Sequence, residues 1–290
     1  MKKFALLLTA FTLLICALPA MIGQASADIL PTGTVIVDTD EILVCVTGSG
    51  YEEKNDEYVL EIYVENRTDE PIEVGAEKIA VNGIIVDGYM YDVMAAGRKS
   101  ISYVEIYAST LRQLRLDCDR VSFTFYANKT FEGTTIENII RTDVVLFPGE
   151  KTDEEIVSID FEDFPMTQLD YENEFIRVME LDAKPLDGDF GYQIDFLVEN
   201  RCAFDFNLDF ANFKVNGMDI SAYCYCLVPA GMKAVAHVWI SADEMGDISV
   251  YDVDEVSSTL MLYEHSEESL TGIVEYPFFA YPVSFRPAKG

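Results

Sequence analysis

Histidine is almost missing from these 290 residues: His237 and His265 are the only two. Nucleophilic catalysis by a Ser-His-Asp or Cys-His arrangement needs an imidazole as base, and neither histidine lies in a G-x-S-x-G or comparable setting. The expectation for both is a structural role, His237 on a strand in AVAHVWI and His265 in the acidic segment YEHSEES. Positive charge is scarce too, with 20 Lys and Arg against 51 Asp and Glu. The net charge of −31 becomes −33 if Lys2 and Lys3 are removed with a leader. Such a surface repels nucleic acid and anionic membrane, which are bound through Lys and Arg. Beyond the first 27 residues no apolar run is long enough to span a bilayer, and the tail PVSFRPAKG carries no anchoring signal.

Cysteine is few and odd in number. Outside the leader stand Cys45, Cys118, Cys202, Cys224 and Cys226, which cannot all pair within one chain and lack the spacing of a disulfide framework. They read as small buried hydrophobes. Cys224 and Cys226 lie two apart, sharing one face of a strand and out of bonding geometry, and no histidine is near them in sequence to complete a metal site. No cofactor and no metal site is expected.

What is present begins with an export signal. Lys2 and Lys3 precede an apolar stretch from Phe4 to Pro19 and a small-residue ending, Ala25-Ser26-Ala27, so residues 1–27 read as a signal peptide cut after Ala27. Leu14 and Ile15 before Cys16 are too bulky for lipid attachment, which favours soluble release outside the cell. Half of all residues are hydrophobic, enough to bury a substantial core.

The chain then repeats itself. VENRTDEPIEVGAEKIAVNG begins at Val64 and VENRCAFDFNLDFANFKVNG at Val198, 134 residues later, and the same offset matches Tyr89 with Tyr223, Tyr91 with Tyr225, and Ala96-Gly97 with Ala230-Gly231. A unit of that length is a whole domain. The division expected is 28–150 and 151–290, parted at PGEKTDEE, where Pro148, Gly149 and a charge run interrupt the apolar pattern.

Each repeat reads as strands. In YVLEIYVEN, Leu60, Ile62 and Val64 fall on one face, and Ile194, Phe196 and Val198 do so in YQIDFLVEN. Asn82-Gly83 between KIAV and IIV marks a tight hairpin. Gly97 and Gly231 mark a second turn, and Ser241 with Glu244 has the spacing of a helix cap. Later strands are VSFTFYA and TDVVLF in the first repeat, and STLMLYE and IVEYPFFAY in the second. Strand signals about every ten residues, with no crossover helices, predict an all-β protein of two antiparallel β-sandwiches.

The frame E-N-R-T-D at Glu65 to Asp69, V-N-G at Val81 to Gly83 and A-G-x-K at Ala96 to Lys99 resembles the telokin-like, immunoglobulin-like domains of secreted proteins and lipoproteins of Gram-positive bacteria. The resemblance covers most of the first repeat and, more weakly, the second, where Cys202-Ala203 replaces Thr68-Asp69. It implies two tandem immunoglobulin-like domains in an extracellular setting, and it brings no catalytic residues.

Acid clusters such as Asp38-Thr39-Asp40-Glu41, Asp117-Cys118-Asp119 and Asp252-Val253-Asp254-Glu255 lack the glycine and distal glutamate of a calcium loop and read as solvated edges. The feature that stands apart is the duplicated Tyr-x-Tyr, Tyr89/Tyr91 and Tyr223/Tyr225. Spacing of two puts both rings on one side of a strand. Turned inward they fill the sandwich, the expectation for positions matched in a duplicated fold; turned outward they form a stacking or anchoring pair for a sugar or a protein. The function expected is a non-enzymatic exported binding or adhesion protein, with a protein or glycan ligand at the cell surface. The alternatives are a glycan hydrolase using paired carboxylates and a purely structural pair of domains.

Overall fold

The 134-residue offset is a structural period as well as a sequence one. The computed structural model describes residues 33–131, 134–149, 151–156, 158–164, 168–186, 190–265 and 276–287, so the expected leader lies outside the described residues. The first half runs β1 (Thr34–Asp38), β2 (Ile42–Glu52), β3 (Glu57–Asn66), β4 (Ile72–Val81), β5 (Ile84–Ile85), β6 (Gly88–Tyr89), β7 (Tyr91–Met94), β8 (Lys99–Tyr107), helix α1 (Ala108–Leu114), β9 (Val121–Phe131) and β10 (Thr134–Leu146). The second runs β11 (Asp170–Glu172), β12 (Ile176–Pro185), β13 (Gly191–Asn200), β14 (Phe206–Val215), β15 (Met218–Asp219), β16 (Cys226–Val228), β17 (Lys233–Ser241), helix α2 (Ala242–Met245), β18 (Val256–Glu264) and β19 (Phe279–Phe285). Strands β12, β13, β14, β15 and β17 each begin 134 residues after β2, β3, β4, β5 and β8.

Within each half all strand pairs are antiparallel. In the first, β2-β3-β8-β6 stands against β10-β9-β4, with β1 added beside β2. Lettered in chain order this is A-B-E-D against G-F-C, the strand order of a constant-type immunoglobulin domain. In the second half β12-β13-β17 and β19-β18-β14 repeat A-B-E and G-F-C. The alternation read from the sequence points as expected: Leu60, Ile62, Val64, Ile194, Phe196 and Val198 are all fully buried. Burying each such side chain contributes about 1.5–3 kcal/mol.

The repeated E-N-R is scaffold. Asn66 donates through Nδ2 to the carbonyls of Glu70 at 2.9 Å and Ala95 at 3.1 Å, and its Oδ1 accepts from Thr68 N at 2.9 Å. Asn200, its counterpart, donates to Phe204 O at 2.9 Å and Val228 O at 2.8 Å and accepts from Cys202 N at 2.8 Å. Arg67 clamps the first strand of its half through Asp38 and Thr39 O, and Arg201 does the same through Glu172 and Asn173 O. Asn82 and Asn216, both at φ 50, open the N-G turns and tie them to the loop before the next strand, through Asp117 O and Asp252 O. Truncating a buried Asn removes its bonds to two carbonyls and one N–H. Asn66→Ala and Asn200→Ala are therefore each expected to cost roughly 2–4 kcal/mol, and urea denaturation of the full chain should give similar losses for the two.

Two expectations need correction. The last strand is FAYPVSF rather than IVEYPFFAY; residues 266–275 lie outside the described residues. Pro282 within it is tolerated because β19 is an edge strand, with β18 as its only neighbour among the described residues. The connection between halves is also longer than the PGEKTDEE interruption: β10 ends at Leu146 and β11 begins at Asp170. Between them Ile159 and Phe161 are buried, and Arg177 lies 4.3 Å over the Phe161 ring.

That connection belongs to a seam. Strand β5 of the first half pairs in parallel with β17 of the second, Ile84 opposite Lys233 and Ile85 opposite Ala234, joining one sheet from each half into a single nine-stranded sheet. Met179, Leu197 and Val235 of the second half pack into the apolar cluster of the first, together with Ile159 and Phe161.

Candidate functional site

None of the four tyrosines is in the core. Tyr89 is 53% exposed, Tyr91 46%, Tyr223 69% and Tyr225 63%. The inward expectation fails because the chain changes sheets between the rings. Tyr89 closes β6, which pairs with β8, and Tyr91 opens β7, which pairs with β4; Met90 between them takes the buried position. In the second half Tyr223 makes an isolated bridge to Trp239, with both N–H to carbonyl bonds at 2.8 Å, and Tyr225 sits just before β16.

At the seam the second pair meets a cleft of about 330 Å³. Tyr223, Tyr225 and Trp239 line it from the second half, and Lys78, Asp87 and Glu77 from the first. Trp239 is the only tryptophan of the chain and is half exposed. Its place follows from β17 alternation: Ala234, Ala236 and Val238 point into the sandwich, and Val235, His237 and Trp239 point to the seam. Lys78 is aimed by a bulge in β4 at φ 52 and bonds Asp205 of the second half at 2.7 Å. Tyr89 and Tyr91 do not line the cleft. They lie on the adjoining surface, where the Tyr91 hydroxyl donates to Glu73 at 3.3 Å. Tyr126 belongs to the same surface; burial first, then Glu73 and Glu77, pushes its phenol up to about 12.

The wall of the cleft also holds a charged group that the sequence did not reveal, His237 with Asp87. The His237 imidazole is hydrogen-bonded at Nδ1 to Asp195, 2.5 Å away, and its Nε2 lies 3.0 Å from the Asp87 carboxylate as a charge pair without hydrogen-bond geometry. Asp195, itself buried, also accepts from Gln193 at 2.6 Å and from Gln113 of the first half at 2.9 Å. Burial alone would lower the histidine's pKa, but the Asp195 bond and the two nearby carboxylate charges outweigh it and raise it to about 9. Burial likewise opposes ionisation of Asp195, and the bond from His237 overrides it, holding the carboxyl below its ordinary value. His237 is thus a charged, buried fastener between the halves. The one signal for it lay in the repeat, where Tyr103 stands at the matching position of the first half.

The remaining candidates have structural places. Asp38 pairs with Arg67, Asp119 with Lys151 at 2.8 Å, and Glu255 accepts from Ser284 at 3.1 Å. The five cysteines are free thiols, and burial pushes Cys226 up to about 12 and Cys224 up as well, so both are protonated. Among the described residues no three His, Cys, Asp or Glu side chains gather in a way that could hold a metal ion. No helix among them is long and apolar enough to cross a membrane.

Fold and cleft together define an all-β protein of two fused immunoglobulin-like sandwiches with an aromatic-walled cleft at their junction. No family model matches the sequence, and no curated protein matches it. Solved structures to which the chain shows a distant similarity include the YadV chaperone, 12% identical over 86% of this chain and 100% of that chain, with a TM-score of 0.26. A conserved domain protein from Bacillus anthracis is 10% identical over 88% and 89%, TM-score 0.29. The Salmonella enterica SafA pilin in complex with the SafB chaperone matches at 12% identity over 86% and 98%, TM-score 0.25. All three scores lie below 0.5, so no property of those proteins transfers to this chain.

Proposed function

We propose that the protein is a non-enzymatic binding or adhesion protein of the cell envelope or extracellular space, and that it takes its ligand in the cleft at the seam. The observation that carries this is the convergence of Tyr223, Tyr225 and Trp239, all more than half exposed, on one concave site walled by both halves. Large rings left in water on a rigid sheet are the residues that most often dominate recognition, since they offer wide apolar faces at low entropic cost. The signal-peptide pattern at residues 1–27 supports an exported setting. A carboxylate hydrolase has less support, because it needs an acid whose pKa is raised beside its partner in the site; Asp195 at the seam is held the other way, and Asp209 and Glu57, whose carboxyls burial raises, do not line the cleft.

The test is binding of the whole chain from Asp28 onward to arrays of envelope glycans and of peptides, with Trp239→Ala in parallel. Saturable binding that weakens roughly tenfold or more in the variant is expected, since losing a central aromatic contact costs about 1.4 kcal/mol or more. Binding that is indifferent to Trp239→Ala would remove the cleft from the proposal.

A further inference from the structure

We infer that the group this cleft receives is cationic, the guanidinium or ammonium of an arginine or lysine on a basic protein segment. The inference rests on the reading of the cleft as the ligand site and deepens it. Three lines of physical argument meet here. Trp239, Tyr223 and Tyr225, each more than half exposed and lining the cleft, are aromatic rings whose faces carry the negative side of the quadrupole, which attracts a cation and does so most strongly for tryptophan. The local field has the same sign. The cations already at the seam are matched, His237 by Asp195 and Asp87, Lys78 by Asp205, and Arg141 by Glu77. Glu73, on the adjoining surface, adds a carboxylate beyond those pairs, within a chain of net charge −31. Field lines of one sign focused in a concave site raise the local concentration of the opposite charge.

Size and surroundings agree. A volume of about 330 Å³ is at the small end for ligand sites and suits one extended side chain. Beyond the cleft, Tyr89, Tyr91 and Glu73 continue the alternation of ring and carboxylate over the first half, a track for the rest of a basic segment. A neutral sugar could stack on the same rings, but it would gain nothing from the charge. The two ligand chemistries therefore separate by salt dependence.

The experiment titrates the full mature chain with tetra-arginine amide, tetra-lysine amide and tetra-N-acetylglucosamine, following the emission of the single tryptophan and repeating each titration by calorimetry. Expected are saturable quenching by both cationic peptides and roughly tenfold weaker binding when NaCl rises from about 50 to about 500 mM. A further loss of roughly tenfold is expected in Tyr223→Ala/Tyr225→Ala, with melting temperature unchanged. Glu77→Gln should weaken the peptides several-fold and leave any sugar response alone. Salt-independent quenching by the sugar without response to the peptides overturns the cationic inference and leaves the binding reading standing. No binding by any probe counts against both. Peptide binding that ignores the tyrosine and Glu77 variants places the attraction on the acidic surface at large, and the inference falls.

Discussion

Asp195→Ala is expected to destabilise the protein by roughly 3–5 kcal/mol, far more than the loss of one hydrogen bond. The reason is what the change leaves behind: a buried imidazolium stripped of its closest counter-charge. Asp87, the remaining partner, is close to half exposed and cannot replace a carboxylate that is almost fully buried. Asp195→Asn/His237→Gln should lie nearer the wild type than the single variant, because no bare charge remains inside. The pair also sets a pH dependence. The folded His237 has a pKa of about 9 against an ordinary 6.5, so the folded state holds its proton more tightly than the unfolded chain. Its contribution is complete below about pH 6.5 and is lost as the pH climbs through 9. Asp195 works in the opposite sense: with its pKa lowered, its contribution is present above the ordinary value of 3.8 and lost as the pH falls through the folded value. Unfolding free energies from urea titrations at pH 6 and pH 9 should therefore show a fall of the order of 3 kcal/mol in the wild type. His237→Gln should lack that fall. A wild type with a flat profile from pH 6 to pH 9 would mean that His237 is neutral in the fold.

The contrast between what the chain declares and what it conceals lies in the two kinds of position within the repeat. Positions that agree between the copies, Asn66 with Asn200, Asn82 with Asn216 and Gly97 with Gly231, do the same job twice within one half, so local chemistry exposes them. The sandwich was legible for that reason. The seam was not, because it is built from positions where the copies differ. Ile84-Ile85 forms the docking edge in the first half, and its counterpart Met218-Asp219 is an exposed edge with Asp219 paired to Lys214. Charge on an edge strand disfavours further pairing. Likewise Cys45, Tyr63, Ile101 and Tyr103 stand where Met179, Leu197, Val235 and His237 meet the other half. Alternation says which residues leave the core; it is silent on whether water or a second sandwich awaits them. The inward expectation for the tyrosines failed on the same ground: Tyr89 and Tyr91 share the outer side, and Met90, where the chain passes from one sheet to the other, takes the buried position between them.

Val235→Asp should separate the halves, and its counterpart in the first repeat supplies the control. Val235 is 4% exposed, packed among the apolar side chains of the first half, and it lines the cleft. A carboxylate there has no partner, and burying it unpaired costs several kcal/mol, more than the two-residue parallel ladder of β5 and β17 is able to offset. The chain then does better to open the seam than to keep the charge dry, because each half retains its own two sheets and its own core. Ile101→Asp changes the matching strand position, but Ile101 is already 39% exposed; the expected cost is below about 1 kcal/mol. In solution scattering Val235→Asp should give a larger radius of gyration, with a red-shifted Trp239 emission and a lowered melting midpoint, while Ile101→Asp should leave all three near the wild type. Ligand capture in the cleft should vanish with the first substitution and survive the second, since one wall comes from each half. Equal effects of the two variants would mean that the halves are not held by this face, and the cleft would lose the rigid frame on which recognition depends.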